Sequence, residues 1–297
     1  MTKAMIILNP SSGKEQAKDL LPEAERTLQK FHEEVTVSET RKEGDAEEFA
    51  RKACELHYDT VVSMGGDGTV SEAVNGLAEQ EHRPDFGIIP LGTVNDFARA
   101  LNIPLDPSEA IKILPSQHYK KADIGKINDR HFMNVLAVGA IAEASYNVST
   151  EQKTLLGPFA YFVEGMKAII NKTPFSLTIS HDQGEWEGKA YLLITALTNS
   201  VGGFEKLAPH AKVNDGIFHI YVVKNISFPG TLNIIPKLIK GELKEHNDVE
   251  YIKSASLKVS ASEQLVVNID GDEGEPLPFQ ANVLKQHVSL FVPPEGN

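Results

Sequence analysis

The chain has 297 residues, 41% of them hydrophobic, with 41 acidic against 29 basic side chains and a formal net charge of −12. That length and apolar share allow two modest domains, each with a core of its own. The acidic balance excludes a general nucleic-acid binder, which needs cations along the phosphates.

Residues 4–8 read as a first strand, and the apolar stretch around them, MTKAMIILNP, is too short for a signal peptide. Residues 14–31 form an amphipathic helical pattern and 34–38 a second strand. In 45–57, Ala46, Phe49, Ala50, Ala53 and Leu56 recur at helical spacing. Cys54, inside that pattern, reads as a packed thiol; as the single cysteine it excludes an intrachain disulfide and points to an intracellular chain. A third strand (60–64), a third helix (69–78), a fourth strand (86–90) and a short helix around 94–101 follow. Such alternation predicts a doubly wound parallel sheet with ligands at the carboxyl ends of its strands.

Near Lys120 the texture changes. KKADIGKI, RHFMNVLAVG, PFSLTISHD, EWEGKAYLLITALTN, GIFHIYVVK, SASLKVSA, QLVVNIDG and HVSLFVPP are short β-rich runs, several alternating apolar and polar residues as sandwich strands do. Residues 155–170 and 228–239 interrupt them as helical patterns. No stretch reaches the ~20 apolar residues of a membrane span, so lipid is expected to be met from the water side. The fold class expected is α/β plus all-β: an α/β domain over 1–122 and a β-sandwich domain over 123–297, with a cleft between them.

SMGGDGTVSEAVNGL places Gly65, Gly66 and Gly68 where the third strand gives way to a helix. Glycine permits close backbone approach, and a helix N-terminus presents unpaired N–H groups and partial positive charge, so together they suit a phosphate. A tight turn capped by Asp67 explains the same residues. Two further strands end in small polar residues: Asn9-Pro10-Ser11-Ser12-Gly13-Lys14, and Pro90-Leu91-Gly92-Thr93-Val94-Asn95-Asp96-Phe97. Neither Walker A nor dinucleotide-fingerprint spacing is present. Backbone-cradled phosphate beside Asp67 and Asp96, the carboxylates suited to Mg²⁺, points to a nucleotide with a metal.

These motifs, in this order, with Asp215-Gly216 and Asp270-Gly271 later in the chain, resemble the diacylglycerol kinase catalytic family, and within it the soluble bacterial lipid kinases. Sphingosine kinases share that fold, and NAD kinases are more distant relatives with a GGDGT-type loop. The resemblance spans nearly the whole chain. It implies a nucleotide-binding α/β domain and a β-sandwich lipid-binding domain with the active site between them. It implies ATP on Asn9, Pro10, Ser11, Ser12, Gly13, Thr40, Gly65, Gly66, Asp67, Gly68, Thr69, Val70, Ser71, Glu72, Thr93 and Asn95. Asp67 and Asp96 are the candidates for a metal–water network beside the phosphates. It also implies a structural Mg²⁺ on Asp215 and main-chain oxygens near Lys212 and Ile217, although those residues alone read as an ordinary turn. For the base that takes the substrate proton, Asp270 leads with Asp272 second; the family pattern there is Asp-Gly-Glu, and this chain has Asp-Gly-Asp.

The activity implied is ATP-dependent phosphorylation of diacylglycerol to phosphatidic acid, in phospholipid metabolism, by a cytoplasmic protein bound peripherally at the membrane surface. Alternatives are a kinase of another lipid alcohol, such as a sphingoid base or monoacylglycerol, an NAD kinase-like metabolite kinase, or a silent nucleotide- or lipid-binding module. The apolar stretch 155–163, followed by Lys167 and Lys172, reads as an interfacial helix or as one packed on the sandwich. Lys120, Lys121 and Lys126 can meet anionic headgroups. An exposed sandwich face can support a homodimer. The histidines show no metal spacing, and C-x-x-C is absent.

Overall fold

The computed structural model describes residues 1–139, 173–224, 237 and 240–294. The stretch 155–170 lies outside the described residues, as does 228–239 apart from residue 237. The chain divides into two compact units, one of Met1–Ile124 with Lys285–Asn297 and one of Gly125–Leu284.

In the first unit, β1 (Lys3–Leu8), β2 (Glu34–Glu39), β3 (Thr60–Gly65) and β4 (Asp85–Pro90) form a parallel sheet in the order β2-β1-β3-β4. Ile6, Ile7, Leu8, Val61 and Val62 are fully buried. Each such side chain contributes about 1.5–3 kcal/mol of burial, which is why the strands are apolar on both faces. The helices are α1 (Gln16–Leu28), α2 (Asp45–Glu55), α3 (Asp67–Leu77), α4 (Asp96–Ala100) and α5 (Pro107–Ile113). Ala17, Ala24 and Leu28 of α1 share a core with Ile111 of α5, Val62 and Met64, while α2 packs on α3. The chain steps from β1 out to β2 and returns to place β3 on the other side of β1. That reversal is the switch point at which such sheets open a ligand crevice. Leu8 is level with Met64 and Gly65 with Pro90, so the loops after β1, β3 and β4 leave one edge together.

The second unit is antiparallel. One sheet runs β12 (Val249–Ser254), β11 (Phe218–Val223), β10 (Leu192–Ala196), β7 (Val135–Gly139), β14 (Val266–Ile269), β15 (Asp272–Pro276). The other layer holds β13 (Ser256–Ala261), β8 (Phe175–His181) and β9 (Gly184–Ala190), beside the start of the last strand, β16 (Phe279–Phe291). β5 (Tyr119–Ile127) pairs with β6 (Arg130–Phe132). Leu136, Val138, Phe218, Ile220 and Val267 meet Leu177, Ile179 and Val259 in the core. A second cluster, Leu192, Ile194, Tyr221 and Val223 under Leu207, Ala208 and Leu243, covers the outer face of the first sheet, so its central strands are apolar throughout rather than alternating. Among the described residues no helix is long and apolar enough to cross a membrane.

The division differs from 1–122 and 123–297 mainly at the C-terminus, where residues 285–297 belong with the N-terminal unit. Leu290 pairs in parallel with Phe86, Phe291 enters the α1 core, and the Glu79 N–H donates to His287 Nε2 at 2.9 Å. HVSLFVPP reads as a strand, but its local pattern does not say which sheet it completes. The fourth helix starts at Asp96 rather than 94 because Asn95 takes a left-handed backbone, φ 57°. Unanticipated α5 is capped by Asp106, which accepts the Glu109 N–H at 3.0 Å, with Pro107 in the first turn.

Candidate functional site

The rim of the first unit is built by close backbone packing. Asn9, just past β1, donates from Nδ2 to Thr69 Oγ1 at 3.1 Å, and its Oδ1 accepts from Ser11 N (3.2 Å) and Oγ (2.8 Å). Thr69 folds back over the end of β3: a Cβ on Gly65 would lie 2.5 Å from its Cβ and Oγ1. The loops after β3 and β4 touch backbone to backbone, since a Cβ on Gly92 would sit 2.8 Å from Gly66 Cα. Asn95 closes its loop on Gly92 through both side-chain atoms, at 3.0 and 2.8 Å. Asp67 joins the two loops, its carboxylate accepting the Asn95 and Asp96 N–H groups at 2.8 Å each. Burial pushes the Asp67 carboxyl above its ordinary range, and the Asp96 charge pushes the same way against those N–H bonds.

Beside this rim lies a pocket of about 600 Å³ lined by Asn9, Pro10, Ser11, Thr40, Gly68, Thr69 and Glu72, together with Glu39, Arg41, Lys42 and Glu43. Seven residues expected at the nucleotide therefore share one cavity. The other expected residues are placed around it. Ser12 and Gly13 form the 3-10 turn leading into α1, Gly13 at φ 63°. Gly65, Gly66, Asp67 and Asn95 shape the loops just described. Val70 is buried in the core, the Ser71 carbonyl accepts from Asn75 Nδ2, and Thr93 is exposed outside the pocket lining. Glu72 Oε2 accepts the Ala46 N–H at 3.1 Å and so ties α3 to the start of α2.

Arg41 and Lys42 were not anticipated. Asp45 Oδ2 accepts both of their N–H groups, at 2.7 and 3.0 Å, and folds their loop along the pocket. Those N–H bonds, Arg41's first, hold the Asp45 carboxyl below its ordinary range. The signal was present: ETRKEGD follows β2 on the same sheet edge, but its charges resemble a solvated turn. The first N–H groups of α3 have no acceptor within the helix, and its positive end faces this cavity at Gly68 and Thr69. Gly68 is exposed, and a Cβ there would meet nothing within 4 Å. The lining sets Arg41 and Lys42 against Glu39, Glu43 and Glu72, so the N–H groups at the α3 terminus are what suits the rim to a polyphosphate. The paired charges of Asp67 and Asp96 suit a hard dication beside it.

In the second unit, Asp270 starts the β14–β15 turn with φ 51°, followed by Gly271 at 104°. Its carboxylate accepts three main-chain N–H groups, from Met133 (2.6 Å), Asn134 (2.9 Å) and Val135 (2.8 Å). Asp272 and Glu273 are exposed on β15, and Glu275 accepts from Asn128 at 3.0 Å. Asp215 closes a turn by accepting from Lys212 N (3.1 Å) and Ile217 N (3.3 Å), and it also meets Nε2 of buried His219 at 2.9 Å. Burial alone would raise the Asp215 carboxyl, but His219 and these N–H groups hold it below its usual value. A carboxylate carrying one long N–H bond on Oδ1, with the main chain of Lys212 and Ile217 beside it, suits an oxygen-seeking cation. Among the described residues no three His, Cys, Asp or Glu side chains gather as a metal cluster. His219 and Tyr251, whose hydroxyl lies 2.6 Å from His219 Nδ1, were missed by sequence reasoning. So was Asp123, a buried carboxylate that accepts the Gln286 N–H at 2.7 Å.

A parallel sheet with a glycine-rich helix terminus at its switch point, in a chain that continues into an antiparallel sandwich, defines the two-domain fold of NAD kinase-like and diacylglycerol kinase-like enzymes. Residues 3–127 match the diacylglycerol kinase catalytic domain, and 134–292 match the YegS C-terminal NAD kinase beta sandwich-like domain. The chain is 40% identical over 291 residues to the diacylglycerol kinase of Staphylococcus epidermidis, covering 98% of this chain and 92% of that one. The diacylglycerol kinase of Staphylococcus carnosus is likewise 40% identical, with 98% and 95% covered. A crystal structure of a putative diacylglycerol kinase from Bacillus anthracis superposes with a TM-score of 0.88 at 30% identity, covering 98% of this chain and 95% of that one. The chain belongs to the diacylglycerol kinase catalytic family and is a lipid kinase.

Proposed function

We propose that the protein transfers the γ-phosphoryl group of ATP to the free hydroxyl of diacylglycerol, forming phosphatidic acid. It does so as a cytoplasmic protein bound peripherally at the membrane surface, in phospholipid metabolism. The observation that carries the nucleotide half is the 600 Å³ pocket that gathers Asn9, Ser11, Thr40, Gly68 and Thr69 around the N-terminus of α3. Relatives named diacylglycerol kinase support the acceptor.

In this reading the N–H groups of Gly68 and Thr69 hold phosphate oxygens. The hydroxyls of Thr40 and Thr69 add donors, and Arg41 and Lys42 offset the charge. Asp67 fixes the two loops and, with Asp96, supplies negative charge for Mg²⁺. Mg²⁺, when bound, would neutralise phosphate charge there, and Asp215 with the main chain of Lys212 and Ile217 would hold a second ion at the sandwich turn. The acceptor oxygen bonds to the γ-phosphorus as the bond to ADP breaks, and its proton passes to Asp270, with Asp272 second in line.

The test is transfer from labelled ATP by purified protein with Mg²⁺, offered diacylglycerol, monoacylglycerol, a sphingoid base and NAD in parallel. Labelled phosphatidic acid is the expected product. Labelled NADP instead would replace the lipid by a metabolite acceptor, and transfer to none of them would end the proposal.

A further inference from the structure

Asp215 is bonded more heavily than its turn requires. Its carboxylate closes the turn by accepting the N–H groups of Lys212 and Ile217, while its own N–H donates to the Lys212 carbonyl at 3.2 Å. Those bonds are what an aspartate ordinarily makes in a turn. A further bond, from His219 Nε2 at 2.9 Å, reaches it from β11, the strand that follows. The His219 side chain is 1% exposed and that of Asp215 20%, so a buried imidazole backs a carboxylate that still reaches the surface.

The imidazole is held in its turn. An ionised carboxylate only accepts, so the nitrogen facing it must carry a hydrogen. With that hydrogen on Nε2, the neutral ring has a bare Nδ1, and the Tyr251 hydroxyl, 2.6 Å away, donates to it. Tyr251 stands on β12, opposite Tyr221 of β11, so the series Tyr251–His219–Asp215 ties the turn to two strands. By alternation His219 shares a sheet face with Tyr221 and Val223, which belong with Val249 to an apolar cluster. Polar groups on such a face are costly unless bonded, and apolar side chains of the same shape would pack there equally well. The bonds divide unevenly over the carboxylate. Oδ2 takes those from His219 and Lys212, while Oδ1 takes only the 3.3 Å bond from Ile217. Oδ1 is therefore the oxygen with capacity for a further partner.

We propose that His219 and Tyr251 are positioning residues for the cation site at Asp215. Tyr251 selects the His219 tautomer, His219 holds Oδ2, and Oδ1 is thereby kept aimed as the ligand. Hydrogen-bond partners behind a ligating side chain set metal affinity in this way. The inference rests on Asp215 holding the cation.

The probe is Mg²⁺ alone, added to the full-length protein without nucleotide or lipid. The readout is the Mg²⁺ concentration at which the melting temperature starts to climb, which tracks Kd. The part of that response lost in Asp215→Ala belongs to this site. Tyr251→Phe keeps the ring and removes the one hydroxyl that donates to Nδ1, so the onset should move to roughly 10- to 100-fold higher Mg²⁺. His219→Phe should move it at least as far; if that variant does not fold, Tyr251→Phe, a change at a part-exposed residue, carries the test alone. Tyr221→Phe is the matched control. Its ring centre lies 5.0 Å from that of Tyr251, but Nδ1 is already taken, so the onset should stay at the wild-type concentration. A wild-type onset in either positioning variant would overturn the inference and leave the cation on Asp215, however far the melting temperature itself falls. A wild-type protein indifferent to Mg²⁺, or a response that Asp215→Ala keeps in full, would remove the cation and the inference together. A shift that Tyr221→Phe shares would reduce the series to packing.

Discussion

Gly68→Ala separates a phosphate cradle from a mere turn. Gly68 stands in the first turn of α3 with an ordinary helical backbone, and an added Cβ meets no atom within 4 Å. The fold therefore has no steric objection. Alanine is a better helix former by up to about 1 kcal/mol, so thermal stability should hold or rise. The methyl nevertheless projects from a pocket-lining residue, where the backbone must approach phosphate closely. Losing one charge-assisted hydrogen bond costs about 1.5–3 kcal/mol, or roughly 10- to 100-fold in apparent ATP affinity at 1.4 kcal/mol per tenfold. Initial rates against ATP at saturating lipid, with a thermal melt on the same sample, read both quantities. A variant with wild-type stability and wild-type KM for ATP would refute the cradle.

Gly65→Ala should do the opposite, because its Cβ collides with Thr69 and breaks the Asn9–Thr69 bond. Overpacking costs about 1–3 kcal/mol and the lost bond about 0.5–1.5 kcal/mol, so denaturant midpoints should fall together with ATP affinity; an unchanged midpoint would contradict the packing described. Asp67→Ala and Asp270→Ala should each abolish transfer in a protein that still melts cooperatively, and near-normal turnover would release that residue from the mechanism. Asp215→Ala strips three bonds and leaves buried His219 short of a partner, so stability should fall by about 2–4 kcal/mol and lose any response to Mg²⁺; identical melts of variant and wild type with and without EDTA would sink the cation reading. His32 is buried, both ring nitrogens lack partners among the described residues, and burial lowers its pKa below 6.5 despite Asp59. The unfolded chain then takes the proton more readily, so stability is full above about pH 6.5 and is lost as pH falls toward the lower folded value. His32→Leu should flatten that acid limb in urea titrations, and an unaltered limb would assign it elsewhere.

The strands and glycine loops of the first unit were legible because their signals are local: apolar runs, helical spacing and turn residues each act within a few positions. The gathering of Asn9, Thr40 and Thr69 followed from alternation, which sends every loop after a parallel strand to one edge. Arg41 and Lys42 obeyed the same rule and were hidden by their charge. The return of residues 285–291 to the first sheet was illegible, since a strand's sequence does not name its neighbour. The linkage of Met133, Asn134 and Val135 to Asp270 joins points 135 to 137 residues apart, and nothing in MNVLA marks it. His219 pairs with Asp215 only because a turn and a strand start place them together, in a stretch where Asn-Asp-Gly already explained itself.

The most direct measurement is a crystal structure of the protein soaked with Mg²⁺ and a non-hydrolysable ATP analogue. Triphosphate oxygens are expected within hydrogen-bond reach of the Gly68 and Thr69 N–H groups, with Asn9, Ser11 and Thr40 around the nucleotide. Nucleotide bound elsewhere, with the α3 terminus holding only solvent, would contradict the account.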